Sequence, residues 1–311
     1  MVIGDGWYAA LVPSLTGVDE TRWRRVPRGP LRGLVLGLLS VRAERVFLIR
    51  HDPGWRALLA FRAIFGRRRK LVALHFIEPR PVSGWRGRLD RWATRRALLA
   101  GQALTEAESA LLAHRYDLPR DRFPFVPFAL RREEGAPPAG ERELVVAAGR
   151  AGCDWDTLRA AADGADWPLV VVCGGHDRDA AQGFDDVRVD LPGGDVRDLL
   201  RRAAVSGIAR RDTGAAQGHV RLADAVDAGA AIVASEVAAL RGYVVPGETA
   251  VIVAPGDAAA LRAAVDGLLA DRARRDQLRD AALAHAARRT WPDYLADVER
   301  LVLSPARGRS R

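Results

Sequence analysis

Only two cysteines, Cys153 and Cys173, occur in 311 residues. That excludes a disulfide framework and a cysteine-built metal set, and leaves a reducing cytoplasm as the expected compartment. Long hydrophobic runs are missing as well: no segment reaches the roughly eighteen apolar residues that span a bilayer. The run Leu34 to Val41 is too short, and too far inside the chain, for a signal peptide. Lysine is nearly absent. Lys70 stands against 47 arginines, a ratio that reads as the habit of a GC-rich genome rather than a binding device. No zinc, helix-turn-helix or RNA-binding signature is present, so nucleic acid is not expected as a partner.

The length suits two domains of ordinary size, each with its own core. Charge is divided between them. Residues 1–132 hold 25 basic and 11 acidic side chains, whereas the remainder holds 23 and 28. Such a basic half points to an anionic contact, either a membrane surface or a phosphate-bearing acceptor, or else to a solvated arginine surface without a partner. Within it, Phe76 to Ala100 interleaves Trp85, Leu89 and Trp92 with Arg86, Arg88, Arg91, Arg95 and Arg96. That pattern fits an interfacial helix, or a surface helix with its apolar side on a sheet.

Short apolar runs alternate with helical patterns along most of the chain, the signature of parallel α/β sheets. Expected strands include Gly6–Val12, 22–26, 46–49, 71–74, 144–148, 169–173, 187–189, 205–208, 231–234 and 250–254. His75 stands at the end of one such strand, where open α/β sheets place ligands; His51 is a weaker rival. Gly149-Arg150 and Gly174-Gly175-His176 follow two others, and glycine there lets a nucleotide approach the backbone. The stretch Gly218 to Gly256 opens with Gly-His, and Val220, Leu222, Ala225 and Val226 then follow at helical spacing up to Gly229. A helix beginning after glycine offers unpaired N–H groups and the positive end of its dipole to an anion.

Across Gly218-His219, Leu222, Asp224-Ala225-Val226, Gly229, Ala234-Ser235, Leu240-Arg241-Gly242-Tyr243-Val244 and Pro255-Gly256-Asp257, the sequence resembles the donor-binding core of retaining GT-B glycosyltransferases of the family-4-like group. Gly149-Arg150, Asp154-Trp155 and Thr157-Leu158 resemble the same family's first phosphate-binding motif. This resemblance implies an α/β fold of two Rossmann-like lobes with parallel sheets facing a cleft, the first lobe shortened. It divides the chain into an acceptor-side lobe at 1–130, a linker at 131–142 and a nucleotide-sugar lobe at 143–289. A helix at 290–303 crosses back to the first lobe, and a disordered tail follows at 304–311.

The implied reaction moves a sugar, with retention, from a nucleotide-diphosphate sugar to a lipid-linked, polysaccharide or natural-product acceptor, an anionic one being suited to the basic first half. The enzyme would be cytoplasmic, or peripheral on the inner membrane face. No cofactor or metal enters that scheme. Gly149, Arg150, Gly174, Gly175, Arg211, Gly218, His219, Val220 and Asp224 would hold the donor, with Asp224 on the ribose. His75 and Asp224 would stand at the reacting sugar. Two positions depart from the pattern: Cys153 replaces a second phosphate-binding cation, and Ala216 lacks the first acid of the family's paired carboxylates. Arg211 is the expected substitute for the missing cation. Those departures keep open a catalytically silent GT-B partner subunit, and a nucleotide-sugar epimerase is the other alternative.

Overall fold

The computed structural model describes residues 2–4, 23–25, 32–50, 52, 54–66, 69–78, 82–131 and 142–303. The expected strand at Gly6–Val12, His51, most of the linker and the tail at 304–311 lie outside these residues. The chain divides into two compact units, Met1–Pro127 together with Pro292–Arg311, and Phe128–Trp291.

In the first unit, β1 (Val2–Gly4), β2 (Trp23–Arg25), β3 (Arg45–Ile49), β4 (Leu71–Leu74) and β5 (Leu98–Gly101) form one parallel sheet in the order β2-β1-β3-β4-β5. Helices α1 (Arg32–Ser40), α2 (Trp55–Phe65), α3 (Gly84–Ala97) and α4 (Glu106–Tyr116) alternate with the strands. β4 and β5 are buried at every position, as a strand covered on both faces requires. Strand β5 was not expected. It follows α3 without a loop, and a short apolar run flush against a helix has no periodicity of its own. The core packs Trp55, Phe76, Tyr116 and Phe123 against the strand residues, with Phe76 meeting the other three rings edge-on.

The second unit carries a six-stranded parallel sheet in the order β11-β10-β9-β6-β7-β8. Its strands are β6 (Leu144–Ala148), β7 (Leu169–Cys173), β8 (Asp186–Val189), β9 (Ala203–Ile208), β10 (Ala231–Ser235) and β11 (Val251–Val253). Helices α5 (Trp155–Ala162), α6 (Gly193–Arg201), α7 (His219–Ala228), α8 (Ala258–Ala270) and α9 (Arg272–Ala286) connect or cover them, and α10 (Trp291–Leu303) ends the described chain. From β6 the chain winds outward through β7 and β8, then returns to place β9 on the other side of β6. The loops leaving β6 and β9 therefore diverge from adjacent strands, and at such a reversal an open α/β sheet forms its ligand crevice.

Candidate functional site

Two loops meet at that reversal. After β6 comes Gly149 to Asp154; after β9 comes Ala209 to Gly218. Cys153 and Arg210 pair as an isolated antiparallel bridge, and the Arg211 N–H donates to the Gly152 carbonyl at 3.2 Å. The Arg210 N–H is held at 3.0 Å by the Ser235 hydroxyl at the end of β10. The contact leaves no space for side chains at the glycines. A Cβ on Gly149 would lie 2.1 Å from Cys153 Sγ, and one on Gly152 would lie 2.4 Å from Gln217 Oε1.

Gly218 caps α7 in the left-handed region at φ 96° and brings no capping side chain of its own. Beneath it lies Arg210. Its guanidinium approaches to 3.0–3.3 Å of where a Gly218 Cβ would sit, and it donates to the Ala151 carbonyl (2.8 Å) and Gln217 Oε1 (3.2 Å). Arg210 is 4 % exposed and meets no carboxylate among the described residues. Burial lowers its pKa from the ordinary arginine value, with the neighbouring Cys153 acting the other way. Burial in turn pushes the Cys153 thiol up to about 11, so the sulfur beside Arg210 is uncharged near neutral pH. A buried guanidinium at the positive end of a helix dipole concentrates charge suited to a phosphate.

The sequence points to Arg211 for this place, whereas the guanidinium packed against Gly218 is that of Arg210. The Arg211 side chain points outward, 57 % exposed, to Asp154 at 3.4 Å and Asp156 at 2.9 Å. The two residues are consecutive in an extended segment and so face opposite ways. Only the pairing of Arg210 with Cys153 decides which of them faces the glycines. That pairing is a tertiary fact with no sequence signal.

The other expected donor residues are distributed around these loops. Arg150 is exposed and donates to the Leu191 carbonyl at 3.0 Å. Gly174 and Gly175 follow β7, where a Cβ would meet the His176 ring at 2.8 Å or Asp190 Oδ2 at 2.7 Å. His219 is buried with its ring 4.2 Å from that of Tyr243, while Val220 is partly open. Asp224 is buried on α7, and Arg221 donates to it at 2.7 Å. Ala216, which stands where the resemblance implies an acid, is fully buried.

In the first unit His75 follows β4 with φ 45°, a conformation uncommon outside glycine. Its N–H donates to Gln102 Oε1 at 3.1 Å, and its Nε2 lies 2.9 Å from the Tyr294 hydroxyl on α10. Gln102 also donates to that hydroxyl at 3.3 Å. The imidazole is thus oriented by the Tyr294 hydroxyl, which Gln102 in turn holds, at a carboxyl edge of the sheet. Nearby, Glu78 and Asp90 bind Arg50, Arg115 and Tyr116 in one cluster. Burial above all, then the two carboxylates, raises the Tyr116 pKa beyond the usual phenol range, so the hydroxyl stays a donor. Among the described residues no group of three or more His, Cys, Asp or Glu side chains could hold a metal ion.

Residues 154–271 match the family described as glycosyl transferases group 1. No curated protein matches the chain. Among solved structures, Anabaena HepE in complex with UDP and glucose is similar at 12 % identity, with a TM-score of 0.71 and coverage of 97 % of this chain and 99 % of that one. The fold is GT-B. WaaG, a glycosyltransferase involved in lipopolysaccharide biosynthesis, superimposes with a TM-score of 0.65 at 13 % identity, covering 98 % of this chain and all of that one. A sucrose-phosphate synthase from Thermosynechococcus elongatus gives 0.65 at 16 % identity, covering 90 % of this chain and 82 % of that one. At these identities the GT-B likeness concerns architecture; the matched family segment contains α5, β9 and α7, and so most of the loop pair just described.

Proposed function

We propose that the protein is a retaining glycosyltransferase of the family-4-like kind, taking its sugar from a nucleotide-diphosphate donor. The observation that carries this reading is the glycine-capped start of α7 with Arg210 packed against it, at the strand reversal between β6 and β9. The diphosphate accepts from first-turn backbone N–H groups, from Gly218 to Val220, while Arg210 supplies the positive charge that Cys153 lacks. Negative charge grows on the leaving diphosphate as the glycosidic bond breaks, so a site that binds this group more tightly in the transition state lowers the barrier. Arg150 adds charge at the rim, Asp224 lies within α7 on the ribose side, and Gly149, Gly174 and Gly175 keep the backbone open to the nucleotide. This scheme assigns no metal or cofactor. UDP in complexes of the similar HepE supports a nucleotide of that class.

The acceptor belongs to the first unit in this reading, with His75 directed at it or at the transferred sugar. An anionic or lipid-linked acceptor accords with the surplus of basic residues there, and with a cytoplasmic enzyme working at a membrane face. No helix among the described residues is long and apolar enough to cross a membrane. A second reading, a catalytically silent binding subunit, is favoured by Cys153 and Ala216 alone.

Thermal-shift titration with UDP, GDP, ADP and dTDP, followed by turnover with the matching nucleotide sugars, tests the proposal. Stabilisation by one nucleotide and a product of retained anomeric configuration are expected. Stabilisation without turnover of any sugar, water included as acceptor, would select the silent reading, and no stabilisation by any nucleotide would sink both.

A further inference from the structure

We infer that Tyr294, in the first turn of α10, is a positioning residue for the transfer reaction: its hydroxyl donates to His75 Nε2 and so sets which nitrogen of the imidazole carries the proton. This role rests on the reading above that directs His75 at the acceptor or the transferred sugar. What it adds is the form in which the ring is presented.

Gln102 settles the direction of the hydrogen bonds. It is fully buried, and its Oε1 faces the His75 backbone N–H at 3.1 Å, a group that can only donate. Its Nε2 faces the Val126 carbonyl at 3.4 Å, a group that can only accept. The end of the amide that reaches the Tyr294 hydroxyl, at 3.3 Å, is therefore the NH2 group, and the phenol oxygen accepts there. A hydroxyl that accepts from one partner is polarised to donate to the next. His75 Nε2 stands 2.9 Å from the same oxygen, and an unprotonated imidazole nitrogen is a better acceptor than a phenol oxygen already taking an N–H. The phenol proton thus points at Nε2, and the neutral ring keeps its own proton on Nδ1.

The same glutamine holds the backbone that carries the ring. At φ 45° His75 is in a conformation that persists where neighbours over-determine it. The Gln102 N–H donates to the Ala73 carbonyl at 2.8 Å, and its carbonyl accepts from the Phe76 N–H at 2.9 Å. Its side chain takes the His75 N–H between them. One buried residue therefore fixes the turn after β4 and, through Tyr294, the imidazole on it. The chemical consequence is specific. Nε2 is engaged by a fully buried hydroxyl and is closed to substrate as a base. A sugar or acceptor oxygen that meets the ring meets a donor, so His75 serves the transfer by stabilising charge on that oxygen and not by removing a proton.

The test is nitrogen-15 NMR of the full chain labelled at its histidines, at a pH of about 8, where an imidazole of ordinary pKa, about 6.5, is neutral. Signals lost in His75→Gln belong to His75. The wild type is expected to show a protonated Nδ1 and an unprotonated, hydrogen-bonded Nε2. Tyr294→Phe, which keeps the buried ring, should shift Nε2 and populate both tautomers. With the nucleotide sugar that the protein turns over, Tyr294→Phe should lower kcat roughly tenfold and leave the donor KM unchanged. A proton on Nε2 in the wild type overturns the inference, and so does a Tyr294→Phe spectrum identical to that of the wild type. Loss of turnover in His75→Gln with an unchanged kcat in Tyr294→Phe overturns the role of Tyr294 and leaves the reading of His75 standing; full turnover in His75→Gln overturns both. Melting curves report the folding of each variant, and the wild-type spectrum decides the proton's position even where Tyr294→Phe does not fold or no sugar is turned over.

Discussion

Arg210 and Cys153 face each other across a single bridge, and between them they redistribute the charge that the family motif places at position 153. The sulfur stays protonated, and the buried guanidinium is packed against Gly218, the residue that caps α7. A charge-assisted hydrogen bond contributes about 1.5–3 kcal/mol, so Arg210→Ala should weaken nucleoside diphosphate binding roughly ten- to hundredfold by calorimetry. Arg211→Ala, which removes an exposed ion pair, should change affinity far less; a larger effect there would return the role to Arg211. The second expectation concerns the thiol itself. An unperturbed cysteine ionises near pH 8.5, whereas burial pushes Cys153 to about 11. The proton is held more tightly in the folded state, so the rate of iodoacetamide modification of Cys153 in a Cys173→Ala background should still climb about tenfold per pH unit at pH 9 to 10 instead of levelling off there. A rate that levels off near pH 9 would show the thiol to be more exposed than the structure has it.

At the scale of elements, α7 depends on a glycine that meets two demands. Gly218 needs a positive φ, and any Cβ there would touch the Arg210 guanidinium. Gly218→Ala should therefore cost about 1–3 kcal/mol in stability and abolish nucleotide stabilisation, both visible in one thermal-shift series. An alanine variant that binds normally would separate the helix start from the ligand. In the first unit, the ends of β3 and α4, the segment after β4 and the middle of α3 converge on the Glu78 cluster, where two arginines and a tyrosine share carboxylates. Removing one partner of a buried ion pair strands the others, so Glu78→Gln should cost about 3 kcal/mol in denaturant unfolding; a change below about 0.5 kcal/mol would mark the cluster as solvated. The helix after Gly218 was legible because glycine, apolar spacing and the closing Gly229 are all local. Neither the Glu78 cluster nor the choice between Arg210 and Arg211 was, since their members come together only through strand pairing and packing. Strand β5 was hidden for a different reason, its apolar run continuing directly from α3.

At the scale of the molecule, the chain holds two parallel-sheet units with different tasks in this account. In the second, the loops after β6 and β9 meet, and the family match at residues 154–271 takes in the whole of the later one. In the first, the expected charge surplus gathers at the amino edge of the sheet, while His75 is tied to Tyr294 at the carboxyl edge. Composition could report the surplus but not its edge, because that edge is assembled from the starts of β3 and β4, the end of α3 and the turn before Phe123. The central claim is that one buried arginine and the amino end of α7 grip a diphosphate. A crystal structure with the nucleoside diphosphate that stabilises the protein most tests it directly. The account predicts phosphate oxygens within hydrogen-bond distance of the Arg210 guanidinium and of backbone N–H groups between Gly218 and Val220. A diphosphate bound with both of those out of reach would contradict it.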